Sequence, residues 1–172
     1  MVTVKLIGHL GNQLFQIAAC IGYARQHKLY YCIPTQTSNP SVWNFYEFEG
    51  LTYCKGSART AYHYVEPAIS YETRPYVIRH QDIPYHHNIL LEGHFQSEKY
   101  FSHCKDEIID LFGKGWTSLS DCVSIHIRRG DYLTLAGHLP PVTIGYLTRA
   151  IEYFKDKGFR KFMVFGDDPA WN

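Results

Sequence analysis

Two adjacent arginines, Arg128 and Arg129, stand in the run His126-Ile127-Arg128-Arg129-Gly130-Asp131-Tyr132. A guanidinium is planar, always charged and forked, so it can meet two phosphate oxygens at once. Two in succession suit a diphosphate, above all one that departs with growing negative charge. The same residues also make an ordinary surface ion-pair cluster, and the pattern alone leaves both open.

Two further segments carry candidate chemistry. In Gly8-His9-Leu10-Gly11-Asn12-Gln13 the glycines allow close backbone approach, and the N–H groups of a helix start favour anions or polar oxygens. The segment is neither a dinucleotide fingerprint nor a phosphate-binding P-loop, and a tight turn explains it equally well. Asp167 and Asp168 can accept hydrogen bonds from a nucleotide's ribose or base. A metal-binding acid pair usually has one residue between its members, and Asp168 also suits a helix N-cap.

The elements that must position these groups alternate between strand and helix. Val2 to Ile7 reads as a buried strand, and Leu14 to His27 as a helix with Leu14, Ile17, Ala18, Ile21 and Ala24 on one face. Leu29 to Ile33, closed by Pro34, completes a parallel strand–loop–helix–strand unit. Residues 36 to 87 hold many aromatics among Pro, Ser and Thr without a period, as a loop-rich cover or a sugar-stacking subsite would. Asn88 to Phe95 is the next strand. Ser97 caps a helix with Tyr100, Phe101, Cys104, Ile108 and Leu111 as its stripe and Gly113 at its end. Lys114 to Ser120 reads as a linker, which predicts domains over 1–118 and 119–172.

In the second part, Cys122 to Ile127 is a strand that places Ile125 and Ile127 on one side and His126 and Arg128 on the other. Ligands of open α/β sheets lie beyond the carboxyl ends of strands, where Arg128 projects. Thr143 caps a helix with Ile144, Leu147, Ile151 and Phe154 on one face, and Gly158 lies beyond its end. Lys161 to Phe165 is a strand, and Asp168-Pro169 has the form of a helix start three residues before the sequence ends.

Composition narrows the class. The 172 residues are 45% hydrophobic and 19% charged, enough apolar material for a packed core. A net charge of +1 lacks the basic footprint of a nucleic-acid binder, so none is expected as a partner. Five scattered cysteines without a Cys-x-x-Cys pair predict reduced thiols, and the ten histidines show no zinc-ligand spacing. There is no signal-peptide pattern and no long apolar span, which predicts a cytoplasmic or soluble chain without a membrane anchor.

Taken together, four stretches resemble the alpha-1,2-fucosyltransferase family, glycosyltransferase family 11. They are Gly8 to Gln16, Leu91 to Phe101, Val123 to Tyr132 and Phe162 to Trp171. The His-x-Arg-Arg-Gly-Asp run is the most specific of them. The resemblance implies a GT-B-like α/β architecture: a Rossmann-type parallel sheet in an N-terminal, acceptor-side domain, then the start of a second Rossmann-type domain for the donor. It implies inverting, metal-independent transfer of L-fucose from GDP-fucose to the 2-hydroxyl of a β-galactoside, with no cofactor and a galactose-containing glycan as acceptor. Arg128 and Arg129 would hold the GDP phosphates, His126 would orient Arg128 or touch the nucleotide, and Asn12 with Gly11 and Gln13 would line the cleft. Asp131 is a candidate for the base that accepts the acceptor's proton, and bracing the arginines is an equally good job for it; Asp167 with Asp168 would face the nucleotide. His9 stands where the family commonly has glycine, and Gly166 where serine is common. The family's later segment, rich in Asn, Ser, Phe and Trp, does not occur in these residues. That leaves three expectations: a fragment of the enzyme, a non-catalytic nucleotide- or glycan-binding module, or a fucosyltransferase of another linkage.

Overall fold

A computed structural model describes residues 1–35, 50–54, 60–67, 80–113, 121–134 and 140–168. The chain divides into two compact units, Met1–Gly115 and Trp116–Asn172. The expected linker 114–120 and the helix start at Pro169 lie outside the described residues, as does most of the aromatic-rich stretch.

The first unit is a five-stranded, all-parallel sheet in the order β3-β2-β1-β5-β4. Its strands are β1 (Val2–Val4), β2 (Tyr31–Pro34), β3 (Tyr53–Cys54), β4 (Tyr62–Val65) and β5 (Ile89–Glu92). β1 lies between β2 and β5, and all three of its residues are buried, which is why it reads as a continuous rather than alternating run. Thr3, the polar member, donates its hydroxyl to Cys32 O at 2.8 Å. β3 and β4 fall in the stretch that shows no period. They are two and four residues long and owe their conformation to partners remote in sequence.

Helix α1 spans Leu10–His27 and begins four residues before the expected Leu14. Gly11, Asn12 and Gln13 therefore lie in its first turn and not in a loop. The turn itself is made by Gly8 at φ 74°, a left-handed conformation open to glycine, and then the extended N-cap His9. Gly11 is tolerated because N–H groups in a first turn have no intrahelical partner to lose. From Gln16 to Ala24 every residue of α1 is buried, because the helix meets β1 and β2 on one side and the segment after β5 on another.

For that segment the sequence predicts one helix capped by Ser97. Ser97 does cap, accepting from Lys99 N–H at 3.4 Å, but the next residues form two single 3-10 turns, Glu98–Tyr100 and Ser102–Cys104. Only then does α2 run, over Lys105–Gly113. The division brings Tyr100, Phe101 and Cys104 against α1, and the core gathers them with Ile108, Phe95, Ile17 and Ile21.

In the second unit, β6 (Cys122–Ile127) and β7 (Lys161–Gly166) pair in parallel, from Cys122 opposite Lys161 to Ile127 opposite Gly166. Ile127 is buried while Ser124 and His126 are exposed, as the alternation predicts. A five-residue helix α3 (Gly130–Thr134) comes after β6, and α4 covers Ile144–Asp156. Thr143 caps α4 through its hydroxyl, which accepts from Tyr146 N–H at 3.2 Å, and Gly158 closes the end at φ 94°. Both units are α/β with parallel strands, of a Rossmann-like kind.

Candidate functional site

Because β6 and β7 end level with one another, the residues just past them are neighbours. Arg129 N–H donates to Asp167 Oδ1 at 2.7 Å, and Arg129 Nε donates to Asp168 Oδ2 at 3.2 Å. Arg128 grips Asp131 with two bonds, Nε to Oδ1 at 3.0 Å and Nη2 to Oδ2 at 2.7 Å. Its guanidinium also stands 4.7 Å from the centre of the Tyr132 ring. The five charged residues that the sequence marks beyond β6 and β7 thus form one cluster at the carboxyl edge of this sheet.

Each group has a definite task in that cluster. The Asp167 carboxylate accepts from the backbone at Arg129, and its contact reaches Gly130, where a Cβ would come within 2.9 Å of Asp167 Oδ2. It holds the entry to α3 as a cap would. Those backbone bonds keep its carboxyl below the usual range. The Asp131 carboxyl is likewise held down, first by its hydrogen bonds to Arg128, which in turn raise the guanidinium's own value. A carboxylate so stabilised is a poorer proton acceptor, so the geometry gives Asp131 a bracing role. His126 stacks on Phe165, with ring centres 5.1 Å apart and 27° between planes. Against two guanidiniums the cluster sets three carboxylates, so it offers oriented donors and not a surplus of positive charge.

In the first unit β1 and β5 are parallel neighbours, so the chain segments that leave their carboxyl ends lie side by side. Ligands of open α/β sheets bind in the crevice beyond such carboxyl ends. Its walls are the Gly8 turn with the start of α1, and residues 93–97 after β5. Gln96 Nε2 donates to Asn12 Oδ1 at 2.7 Å, joining the two walls. Asn12 packs directly over Gly8, where a Cβ would overlap its amide. Gln13 is buried: its Nε2 donates to Gly8 O at 2.9 Å, and its Oε1 is buried without a partner among the described residues. Gln16, also buried, donates to Ile7 O at 3.3 Å and accepts from Ile7 N–H at 3.0 Å. Among the described residues nothing stands within 4 Å of a Cβ built at Gly11. The sequence points to Gly11, Asn12 and Gln13, and the structure brings them to this edge.

Glu66 is a residue that sequence reasoning misses. It stands one residue past β4 and accepts from three donors: His94 N–H and Phe95 N–H at 2.8 Å each on Oε2, and the Tyr100 hydroxyl at 3.0 Å on Oε1. Phe95, fully buried, is held at φ 49°, a left-handed conformation that costs a non-glycine residue about 1–3 kcal/mol. A Cβ at Gly93 would overlap Glu66 Cβ and come within 2.7 Å of Oε2, so the turn admits the carboxylate only through glycine. No local signal marks Glu66, because its donors lie roughly thirty residues away.

Parallel sheets with polar groups collected beyond their carboxyl ends place this chain among the α/β proteins, a class whose ligands commonly lie at such edges. The sequence matches the model of Glycosyl transferase family 11 over residues 1–172, and the chain belongs to that family. It is also similar to the O-antigen biosynthesis glycosyltransferase WbnK of Escherichia coli, with 31% identity over 93 residues. That alignment covers 50% of this chain and 29% of the relative, so the chain spans under a third of that protein. No solved structure matches significantly. Among the described residues, no helix is long and apolar enough to cross a membrane.

Proposed function

We propose that this chain serves the transfer of L-fucose from GDP-fucose to the 2-hydroxyl of a β-galactoside, with inversion and without a metal ion. The observation that carries this reading is the pair of guanidiniums at the level carboxyl ends of β6 and β7, with Arg128 gripped on one edge by Asp131. Asp131 occupies Nε and Nη2, which fixes the plane of the fork and turns the Nη1 donors to a set direction. Preorganised donors of this kind stabilise charge as it develops and lose little orientational freedom when a phosphate arrives. The diphosphate of GDP would take the Nη1 edge of Arg128 and would compete with Asp168 for Arg129, whose side-chain contact with that carboxylate is a single longer bond. The acceptor sugar would use the first unit's crevice, where the Asn12 amide offers polar atoms to hydroxyl groups.

Titration calorimetry with GDP, and transfer assays with GDP-fucose and a β-galactoside, test the reading. Arg128→Ala should lower GDP affinity at least tenfold and transfer about a hundredfold or more, the scale of removing one donor aimed at developing charge. Equal GDP affinity in Arg128→Ala and the parent chain removes Arg128 from the site.

A second reading is favoured by the carboxylates already engaged with both arginines. The module would then bind nucleotide or glycan without transferring a sugar, and saturable GDP binding with no fucosyl product would select it.

A further inference from the structure

We propose that Glu66 is a positioning residue for Asn12, acting through the turn that presents Gln96. This rests on the reading of Asn12 as a ligand-facing residue, and Glu66 touches no ligand itself. The path is short and every step is a contact. The Glu66 carboxylate accepts two successive backbone N–H groups, His94 and Phe95, at 2.8 Å each. Two adjacent amides directed at one oxygen fix the backbone between them, and Phe95 is the residue of that pair in the left-handed conformation. Phe95 O then accepts from Ser97 N–H at 2.8 Å, which closes the turn around Gln96. Gln96 Nε2 bonds Asn12 Oδ1 at 2.7 Å.

The anchoring is redundant, as a positioning device requires. Glu66 is itself tied to β5, its N–H donating to Glu92 O at 2.7 Å. Its second oxygen holds the hydroxyl of Tyr100, a buried residue whose ring meets Phe95 edge-on at 5.3 Å. The Tyr100 hydroxyl oxygen also accepts from Gln81 N–H at 3.1 Å. The carboxylate therefore fixes both the backbone and the ring beneath the turn. Rotamer choice at Gln96 depends on the turn, and the amide orientation of Asn12 depends on Gln96. A side chain in β4's continuation thus governs one at the start of α1.

The test uses the full chain and compares Glu66→Ala, Glu66→Gln, Asn12→Ala and the double variant Glu66→Ala/Asn12→Ala. Glutamine can still offer one oxygen to both amides, so Glu66→Gln is the conservative rescue. Nitrogen–proton correlation spectra report the His94 and Phe95 backbone amides and the Asn12 and Gln96 side-chain amides. Melting curves report stability alongside. In Glu66→Ala the Asn12 side-chain resonances should move, and Glu66→Gln should restore them in large part. Affinity for methyl β-galactoside should fall about tenfold in Glu66→Ala and about twofold in Glu66→Gln. In the double variant it should equal that of Asn12→Ala, because residues that act through one contact are not additive. The proposal is overturned if Asn12 resonances stay in place in Glu66→Ala, or if the two losses multiply in the double variant. Should the parent chain bind no galactoside while the Asn12 resonances still respond to Glu66, the positioning stands and the ligand reading of Asn12 falls.

Discussion

Replacing Gly22 by alanine measures how closely α1 is held against the turns that come after β5. A Cβ at Gly22 would overlap the Tyr100 carbonyl oxygen and lie 3.0 Å from Phe101 Cα and 3.1 Å from Phe101 Cβ. The first two are backbone atoms, and hydrogen bonds from Tyr100 N–H to Ser97 O and from Phe101 N–H to Glu98 O hold them. No rotamer change relieves the overlap. The His103 ring, with Nε2 2.9 Å from Gly22 O, would be pushed away with them. Overpacking costs about 1–3 kcal/mol, and the upper end applies where backbone must move. Alanine returns up to about 1 kcal/mol through helix propensity, leaving a net loss of about 2 kcal/mol. At about 4 °C per kcal/mol for a domain of this size, the melting midpoint should fall about 8 °C. Gly11→Ala is the matched control on the same helix: its Cβ would meet nothing within 4 Å, so stability should hold or rise slightly. Thermal melts monitored by far-ultraviolet circular dichroism, with amide exchange over residues 17–24, read both variants. A Gly22→Ala midpoint within about 2 °C of the parent, or an equal loss in Gly11→Ala, refutes the close approach.

Other consequences can be measured on the same protein. Glu107 meets Arg25 with bonds of 2.6 and 2.8 Å, and the guanidinium holds its carboxyl below the usual range. The folded value is depressed, so the stability this pair adds is present above the unfolded value of about 4.3 and is lost as pH falls through the folded one. Glu107→Gln should cost under about 1 kcal/mol at pH 7, since both side chains are over a third exposed or close to it. The gap to the parent should close towards pH 3 in melting curves, and a gap that stays constant counts against the pair. Burial raises the Cys20 thiol and pushes Cys32 up to about 12, so both should resist iodoacetamide at pH 7.5 in the native chain. Peptide mass spectrometry that finds either one alkylated before unfolding would contradict the packing around β2.

Much of the second unit can be read from its sequence because the signals there are local. Alternation places Ile127 inward and His126 outward, and a threonine three residues before an amide it caps announces α4. What escapes depends on distance along the chain. Asp167 reaches the amide of Arg129 only because β6 and β7 pair in step, a register that no local pattern specifies. The aromatic stretch hides β3 and β4, which are too short to show a period and exist through pairing with β2 and β5. The start of α1 is illegible locally because Gly11 and Asn12 have weak helix propensity and look like turn residues, while side-chain bonds from Gln13 to Gly8 and from Gln96 to Asn12 secure it as helix. Glu66 is the extreme case: an acid with no neighbouring cue, defined entirely by amides and a hydroxyl on the next strand's exit.

The Gln16 amide meets Ile7 as a peptide group of an adjoining strand would, giving one hydrogen and receiving another. Helix and strand are thereby stitched together past the point where the sheet's own ladder stops. The bend at Gly8 between them is a pinned corner, with Gln16 holding Ile7 and Gln13 holding the Gly8 carbonyl, so a ligand of the kind proposed beside Asn12 would meet a surface already set in place.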